Sequence, residues 1–269
     1  LPLGRGRWPA SGLVLGYFLV AVVMPVLILI YSSLLPYYSM PSTRSFSTMS
    51  VENYAATFTR PASLNAFKNS LLLGIGSATA VMFFMAIASW LVVRTKLKGR
   101  WLVDSLSFSP LAIPGLVMGV ALLFVYLRFP LPIYGTLWIL MIAYITRLLP
   151  YGLRTMTSTI VQLHDDLPQA SMVCGARFLT TFRRIMLPLL RPGFIAGWII
   201  LATIFLREFS ASVFLYSPGS EPLGPLLYHF YVDGNLGPMC SLAFIVSIVC
   251  VIMILIARRI GKVGGLDAH

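Results

Sequence analysis

The sequence predicts an all-α polytopic membrane protein with six transmembrane helices and a helix–turn–helix in its longest cytoplasmic loop. Three observations carry that expectation. Of 269 residues, 58% are hydrophobic and 10% charged, against roughly 45–50% and about 25% in soluble domains. Six apolar stretches, at 12–35, 69–93, 102–127, 135–153, 194–216 and 239–257, reach or nearly reach the length of about 20 residues that a helix needs to cross a ~30 Å hydrocarbon core. The basic residues between them sort by side. Arg5, Arg7, Arg94, Lys96, Lys98, Arg100, Arg154, Arg177, Arg183, Arg184, Arg191, Arg258, Arg259 and Lys262 fall on one side of the membrane; Arg44, Arg60, Lys68 and Arg128 fall on the other. The positive-inside rule makes the first side cytoplasmic and puts both termini there. The expected organisation is a cytoplasmic segment 1–11, a six-helix domain 12–257 containing the loop 154–193, and a cytoplasmic tail 258–269.

The net charge of +12 would suggest a nucleic-acid partner in a soluble protein. Here the basic residues lie between apolar runs, where they set topology instead. Cys174, Cys240 and Cys250 lack metal-ligand spacing and imply neither a disulfide framework nor a zinc site.

Arg5 and Arg7 precede the first apolar run, which is too long for the core of a signal peptide and is read as a retained span. The outer segment after it, rich in Ser, Thr and Tyr, has room for a short interfacial helix near 51–58. In the third span, Pro110 and Pro114 remove backbone donors that must be compensated by neighbours or water, which predicts a kinked, interior helix. Gly115 and Gly119 follow at small-xxx-small spacing, and close helix packing is the favoured reading of that pair.

In the long loop, Asp165 and Asp166 before Pro168 make a helix start, because aspartate caps free N–H groups and proline suits the first turn. Gly175 sits where a short helix would end in a left-handed turn. A second helix is expected over 178–187, stopped by Pro188. At 100° per residue it is amphipathic, with Phe178, Phe182, Ile185 and Leu189 on one face and Arg177, Arg183 and Arg184 opposite. Such a knob suits either the headgroup layer or a partner's groove.

The loop also carries a resemblance. Binding-protein-dependent ABC importer permeases have a pattern E-A-A-x3-G-x9-I-x-L-P; this chain reads Gln169-Ala170-Ser171, three residues, Gly175, nine residues, Ile185-Met186-Leu187-Pro188. Glutamate is replaced by Gln169 and the second alanine by Ser171. The resemblance implies the type I ABC importer permease architecture. It makes the loop a coupling helix seated in an ATP-binding subunit, with Gln169, Ala170, Ser171 and Gly175 in coupling and Arg183 and Arg184 flanking. It further implies two ATP-binding cassette subunits holding ATP and Mg, a second permease domain and an extracytoplasmic solute-binding protein. The chain itself has no phosphate-binding G-x-x-x-x-G-K-[ST] loop and is expected to bind no cofactor or metal.

Arg207 and Glu208 fall ~20 Å into the fifth span at 1.5 Å per residue. Charges at that depth face a bundle interior or a water-filled path, so both a structural ion pair and a place on the solute path are open for them. Arg147, ~9 Å from the inner end of the fourth span, is expected to snorkel inward or to meet Asp104 rather than Glu208. Leu206-Arg207-Glu208-Phe209-Ser210-Ala211-Ser212 resembles the fifth span of ferric-iron type permeases, which are often two fused halves. Leu3-Gly4-Arg5-Gly6-Arg7-Trp8-Pro9 resembles the start of a second half, which would account for a chain beginning at Leu1. Ferric iron is thus one expected solute; phosphonates, sugar phosphates, thiamine and polyamines are the alternatives. A polytopic enzyme is disfavoured by scattered His164, His229 and His269, and an ion-coupled carrier leaves the coupling-type loop unexplained.

Overall fold

In a computed structural model, residues 7–129, 133–164 and 166–263 are described, the side chains of Phe178 and of residues 261–263 excepted. Asp165, Arg5 and the remaining residues of the 1–6 and 264–269 segments therefore lie outside the described part. Within it the chain is helical and contains no strand.

The first stretch becomes α1 (Arg7–Phe18) and α2 (Met24–Ser33), joined by a π turn at Leu19–Val23. Pro25 explains the turn. Its missing N–H interrupts the i→i−4 ladder, and the Met24 N–H reaches back five residues to the Leu19 carbonyl. The outer segment holds α3 (Thr43–Ser47), capped by the Ser42 hydroxyl, and α4 (Glu52–Thr59), the short helix expected near 51–58. Then come α5 (Pro61–Arg94), α6 (Arg100–Phe108), α7 (Gly115–Arg128), α8 (Leu137–Val161), α9 (Asp166–Val173), α10 (Phe178–Thr181), α11 (Leu187–Leu206), α12 (Leu223–Val232) and α13 (Leu236–Val263). Among the described residues four helices are long and apolar enough to cross a membrane: Arg7–Ser33, Pro61–Arg94, Leu179–Leu206 and Leu236–Ile260. The bent pair Arg100–Ala112 and Gly115–Arg128 makes a fifth if it is one span.

Four expectations need correction. The third stretch is broken rather than kinked: its two helices meet at 104°. A 3₁₀ turn at Ser109–Ala112 follows α6, and Ile113, restricted by the proline after it, is extended before Pro114 caps α7. The helix is also not wholly interior, since Val117, Phe124 and Leu127 are exposed while Pro110, Met118 and Gly119 are buried.

The fourth stretch does not end at 153 but runs on to Val161. Thr155, Ser158 and Thr159 return their hydroxyls to the carbonyls of Tyr151 and Thr155, which makes the polar end self-sufficient inside the helix. This helix is less apolar than the others yet the most central. Ile139, Leu140, Ala143, Tyr144, Leu153, Met156 and Ile160 are almost completely buried.

Pro188 does not stop the loop's second helix. A π turn at Phe182–Met186 carries α10 into α11, with the Leu187 N–H donating to the Phe182 carbonyl just ahead of the proline. The extra residue also rotates the apolar face. Burial falls on Thr181, Met186 and Leu190, Phe182 and Ile185 are half-buried, and Leu189 is exposed.

The fifth stretch does not remain helical to 216. Its α-helix ends at Leu206, with Arg207 as the C-cap, and a 3₁₀ turn at Ser212–Phe214 follows. The ten-residue α12 between the last two spans has no counterpart in the sequence reading.

The described chain falls into two compact units, one from residues up to 64 with 226–248 and one from 65–225 with the chain from 249 onward. The first is fastened by hydroxyl and amide contacts. Asn53 donates to the carbonyls of Ser33 and Leu35, and the Thr57 and Ser241 hydroxyls meet at 2.9 Å. The second holds the main core, in which Leu73, Val81 and Met82 of α5 pack with Tyr144 and Leu153 of α8 and with Leu201 and Phe205 of α11.

Candidate coupling knob and intramembrane ion pair

Two places in the second unit gather the residues singled out by sequence. The first is the loop built by α9 and α10. α9 buries no residue, and Asp166 supplies a negative charge to its first turn, where free N–H groups favour it. The helix ends in a Schellman arrangement. The Ala176 N–H donates to the Ser171 carbonyl at 3.1 Å and the Gly175 N–H to that of Met172 at 2.9 Å, with Gly175 at φ +85°. A side chain at 175 would meet nothing within 4 Å. Glycine is needed here for its backbone and not for space. The bend turns α10 back, and the Ser171 hydroxyl lies 2.9 Å from that of buried Thr181. Serine in place of the family's alanine thus adds a tie between the two arms.

Gln169 and Ala170 are exposed, as are Arg183 and Arg184 beyond the bend. Sequence reasoning missed the apolar part of this surface. Val173 is 88% exposed and Leu179 73%, with Leu167 and Met172 also uncovered. The signal was present as apolar residues interleaved with the polar pattern, but no rule of periodicity separates a docking face from a buried one.

The second place lies where α8 passes α11. Two glycines set the crossing. A Cβ on Gly193 would come within 2.4 Å of the Thr159 hydroxyl, and one on Gly197 within 2.5 Å of the Thr155 methyl. The antiparallel register these contacts fix, continued along both helices, brings Tyr144 level with Glu208. Tyr144 stacks on Phe205 with ring centroids 5.5 Å apart, and its hydroxyl donates to the Glu208 carbonyl at 3.3 Å.

One turn away, Arg147 forms a salt bridge with Glu208. The sequence expectation that Arg147 would snorkel inward or meet Asp104 is overturned. The inner end of its helix is at Val161, not 153, so Arg147 lies deeper than the earlier count allowed. Glu208 is 8% exposed, and its carboxylate also accepts the Ala211 N–H at 3.1 Å. That bond draws the backbone into the turn that ends α11.

Gly115 and Gly119 pack onto this site. A Cβ on Gly115 would lie 2.7 Å from the guanidinium carbon of Arg147, and one on Gly119 would lie 2.9 Å from the Ala211 carbonyl oxygen. Pro114 aims α7 so that both glycines reach the turn. Arg207 is not part of the pair and is exposed. Asp104 is half-exposed, and the structure does not bring it to Arg147. No group of three His, Cys, Asp or Glu side chains among the described residues is arranged to hold a metal ion.

Buried Glu208 is held by several groups at once, as a charge largely removed from water requires, while its partner Arg147 is half-buried. The knob is the opposite, a fixed bend carrying exposed polar and apolar side chains.

The spermidine/putrescine transport system permease protein PotC of Escherichia coli (strain K12) is 25% identical over 239 residues, covering 89% of each chain. The putative 2-aminoethylphosphonate transport system permease protein PhnV of Salmonella paratyphi A is 22% identical over 96% of each. The Fe(3+)-transport system permease protein FbpB 2 of Haemophilus influenzae is 26% identical over 81% of this chain and 40% of its own length. Among solved structures, that of a bacterial alginate ABC transporter in complex with its alginate pentasaccharide-bound periplasmic protein matches with TM-score 0.73 at 16% identity, over 96% of both chains. An inward-facing MetNI methionine ABC transporter matches with TM-score 0.60 at 16% identity, over 75% of this chain and 95% of that one. Residues 83–262 match the family described as binding-protein-dependent transport system inner membrane component, and the chain belongs to that family, as a multi-pass transport subunit of the ABC importer type and not an enzyme.

Proposed function

We propose that this chain forms half of the membrane conduit of an ATP-driven importer, powered through the α9–Gly175–α10 knob by a separate subunit that holds ATP and Mg. In this reading both termini are cytoplasmic, two ATP-binding cassette subunits dock from that side, and an extracytoplasmic binding protein delivers the solute. A second permease domain, fused or separate, completes the conduit. The observation that carries it is the knob: a helix with no buried residue, ended by a glycine-locked bend and presenting Gln169, Ala170, Met172 and Val173 outward. A surface of exposed apolar side chains rimmed by polar ones is what a partner's groove takes up.

The solute reading rests on Arg207. Arg147 and Glu208 neutralise each other, and Arg207, exposed beside them, takes no part in that pair, which leaves a positive charge at that level of the chain among the described residues. A cation lining a low-dielectric path attracts anions and repels cations, so the solute passes as an anion or zwitterion, and a phosphonate-type acid fits better than a polyamine. Ferric iron is the second reading, favoured by the Leu206–Ser212 phrase and by the iron-transport relative.

The test is reconstitution in proteoliposomes with the ATPase, the second permease domain and the binding protein, with uptake of labelled 2-aminoethylphosphonate, spermidine and ferric iron compared. Gly175→Asp should abolish ATP-coupled uptake and weaken ATPase co-purification; tight docking with full uptake in that variant refutes the knob. Arg207→Glu should lower uptake of the phosphonate about tenfold or more while basal ATP hydrolysis persists. Spermidine uptake by the unaltered protein would refute the anion reading.

A further inference from the structure

One face of α8 changes character at Arg147. Arg147, Tyr151, Arg154 and Ser158 recur at i, i+4, i+7 and i+11, which puts them within about 60° of one another at 100° per residue. Tyr151, Arg154 and Ser158 are exposed, and the Arg147 side chain is 27% exposed. Continued toward the start of the helix, the same face carries Tyr144 and Leu140, which are 1% and 0% exposed. The face is therefore open from Ser158 to Arg147 and shut beyond, where Tyr144 stacks on Phe205 and Arg147 meets Glu208. Measured from the helix end at Val161, the open strip passes Arg154 at about 10 Å and reaches Arg147 at about 21 Å.

Arg154 is the cation of this strip that has no counter-charge. Its guanidinium lies over the ring of Phe108 on α6, 4.2 Å from the centroid. Among the described residues it makes no hydrogen bond and no salt bridge, and Asp104, half-exposed one turn before Phe108, forms none with it. Contact with a ring holds a guanidinium in place and takes up none of its N–H donors. An arginine held in that way is ready to take a carboxylate, phosphate or phosphonate through two parallel hydrogen bonds.

We propose that this strip is the cytoplasmic half of the solute path, that Arg154 is an oxyanion-binding residue on it, and that the Arg147–Glu208 pair closes its far end. Tyr151 and Ser158 supply hydroxyls on either side of Arg154. A cation near the cytoplasmic end of a span also suits the headgroup layer. The polar strip, however, runs about 10 Å farther in than Arg154, to a depth that serves a passing solute and not a headgroup. This inference rests on the reading of the chain as half of a conduit for an anion.

The test places one reactive thiol in the strip and reads the charge around it. It uses the transporter purified with its ATPase in phosphatidylcholine nanodiscs, with Cys174 replaced by serine and buried Cys240 and Cys250 left as background. Ser158→Cys is labelled with an anionic and a cationic methanethiosulfonate of similar size. The anionic reagent should react faster, and Arg154→Gln should lower the ratio of the two rates about tenfold. Arg154→Lys, which keeps the charge, should keep most of the ratio. In Tyr151→Cys, 2-aminoethylphosphonate should slow labelling about threefold or more, and Arg154→Gln should abolish that protection. Phosphonate uptake in proteoliposomes should fall about tenfold in Arg154→Gln, with the ATPase still co-purifying.

A rate ratio indifferent to Arg154, or thiols that neither reagent reaches because a second permease domain covers them, would overturn the proposal. So would protection by added phosphatidylglycerol with none by the phosphonate, which would make Arg154 a headgroup contact. The rate ratio needs neither transport nor the knob. It therefore fails separately from the conduit reading, which Gly175→Asp tests, and from the anion reading, which spermidine uptake tests.

Discussion

The ion-pair site and the knob belong to the same compact unit, and they are built on contrary principles. Around Glu208 a carboxylate, a guanidinium, a backbone N–H, a tyrosine hydroxyl and two glycine faces fit into one volume. Around Gly175 there is nothing within 4 Å of where a side chain would go. The first region fixes the relation of α7, α8 and α11 and tolerates little. The second fixes the path of its backbone and one hydroxyl tie and leaves Gln169, Ala170, Met172 and Val173 uncovered. Substitutions should separate the two sharply.

The largest effect is expected from Glu208→Ala, which leaves half-buried Arg147 without its carboxylate and the Ala211 N–H without its acceptor, and should destabilise the protein by about 2–3 kcal/mol. Thermal unfolding of the detergent-solubilised complex measures it, and Arg147→Met combined with Glu208→Leu should recover most of the loss. A Glu208→Ala protein that melts like the parent would show that the site is no more constrained than the knob.

Next comes Gly193→Ala, whose Cβ would meet the Thr159 hydroxyl at 2.4 Å and its methyl at 2.5 Å. Thr159 is stiff at χ1 and its hydroxyl is engaged by the Thr155 carbonyl. The overpacking should cost about 1–3 kcal/mol. Thr159→Ala in the same protein should relieve it, which unfolding by denaturant would detect.

The smallest is Ser171→Ala, which restores the family's residue but removes the tie to Thr181. It should cost about 1 kcal/mol locally, with little change in global melting. Faster amide hydrogen exchange over α9 and α10 is the measurement that registers it, and unchanged exchange would mean that the bend alone holds the arms together.

These contrasts also explain what sequence reasoning reached. The bend at Gly175 was legible, because a Schellman turn is local and glycine at φ +85° announces itself, whereas the face and the end of the arm after it were not. The apolar stretches were legible because hydropathy depends only on composition. What escaped depended on partners distant in sequence. The end of α11 is set by the Ala211 N–H turning to the Glu208 carboxylate, and nothing in the run Leu206 to Ser212 distinguishes that from a continuing helix. The Arg147–Glu208 pair is not legible because hydropathy ends the stretch at 153, whereas the helix continues to Val161 through Thr155 and Thr159, whose hydroxyls bond its own carbonyls. Both π turns stand directly before a Met24-Pro25 or Leu187-Pro188 step. The prolines were visible; that each would be absorbed by widening one turn, and not by stopping the helix, was not.

The widened turn at Phe182–Met186 has a mechanical meaning. Because it keeps the chain helical from the knob to Leu206, the two ends are joined by a rod, and the close crossings at Gly193 and Gly197 give that rod a fulcrum. Measured at 1.5 Å per residue, the arm on the knob side is about 25 Å and the arm toward Arg207 about 18 Å. For a stiff rod pivoting there, a displacement of about 3 Å at the knob carries Arg207 about 2 Å the opposite way. A turn that interrupts the regular hydrogen-bond ladder thus leaves the Gly175 bend and Arg207 near the two ends of one continuous helix.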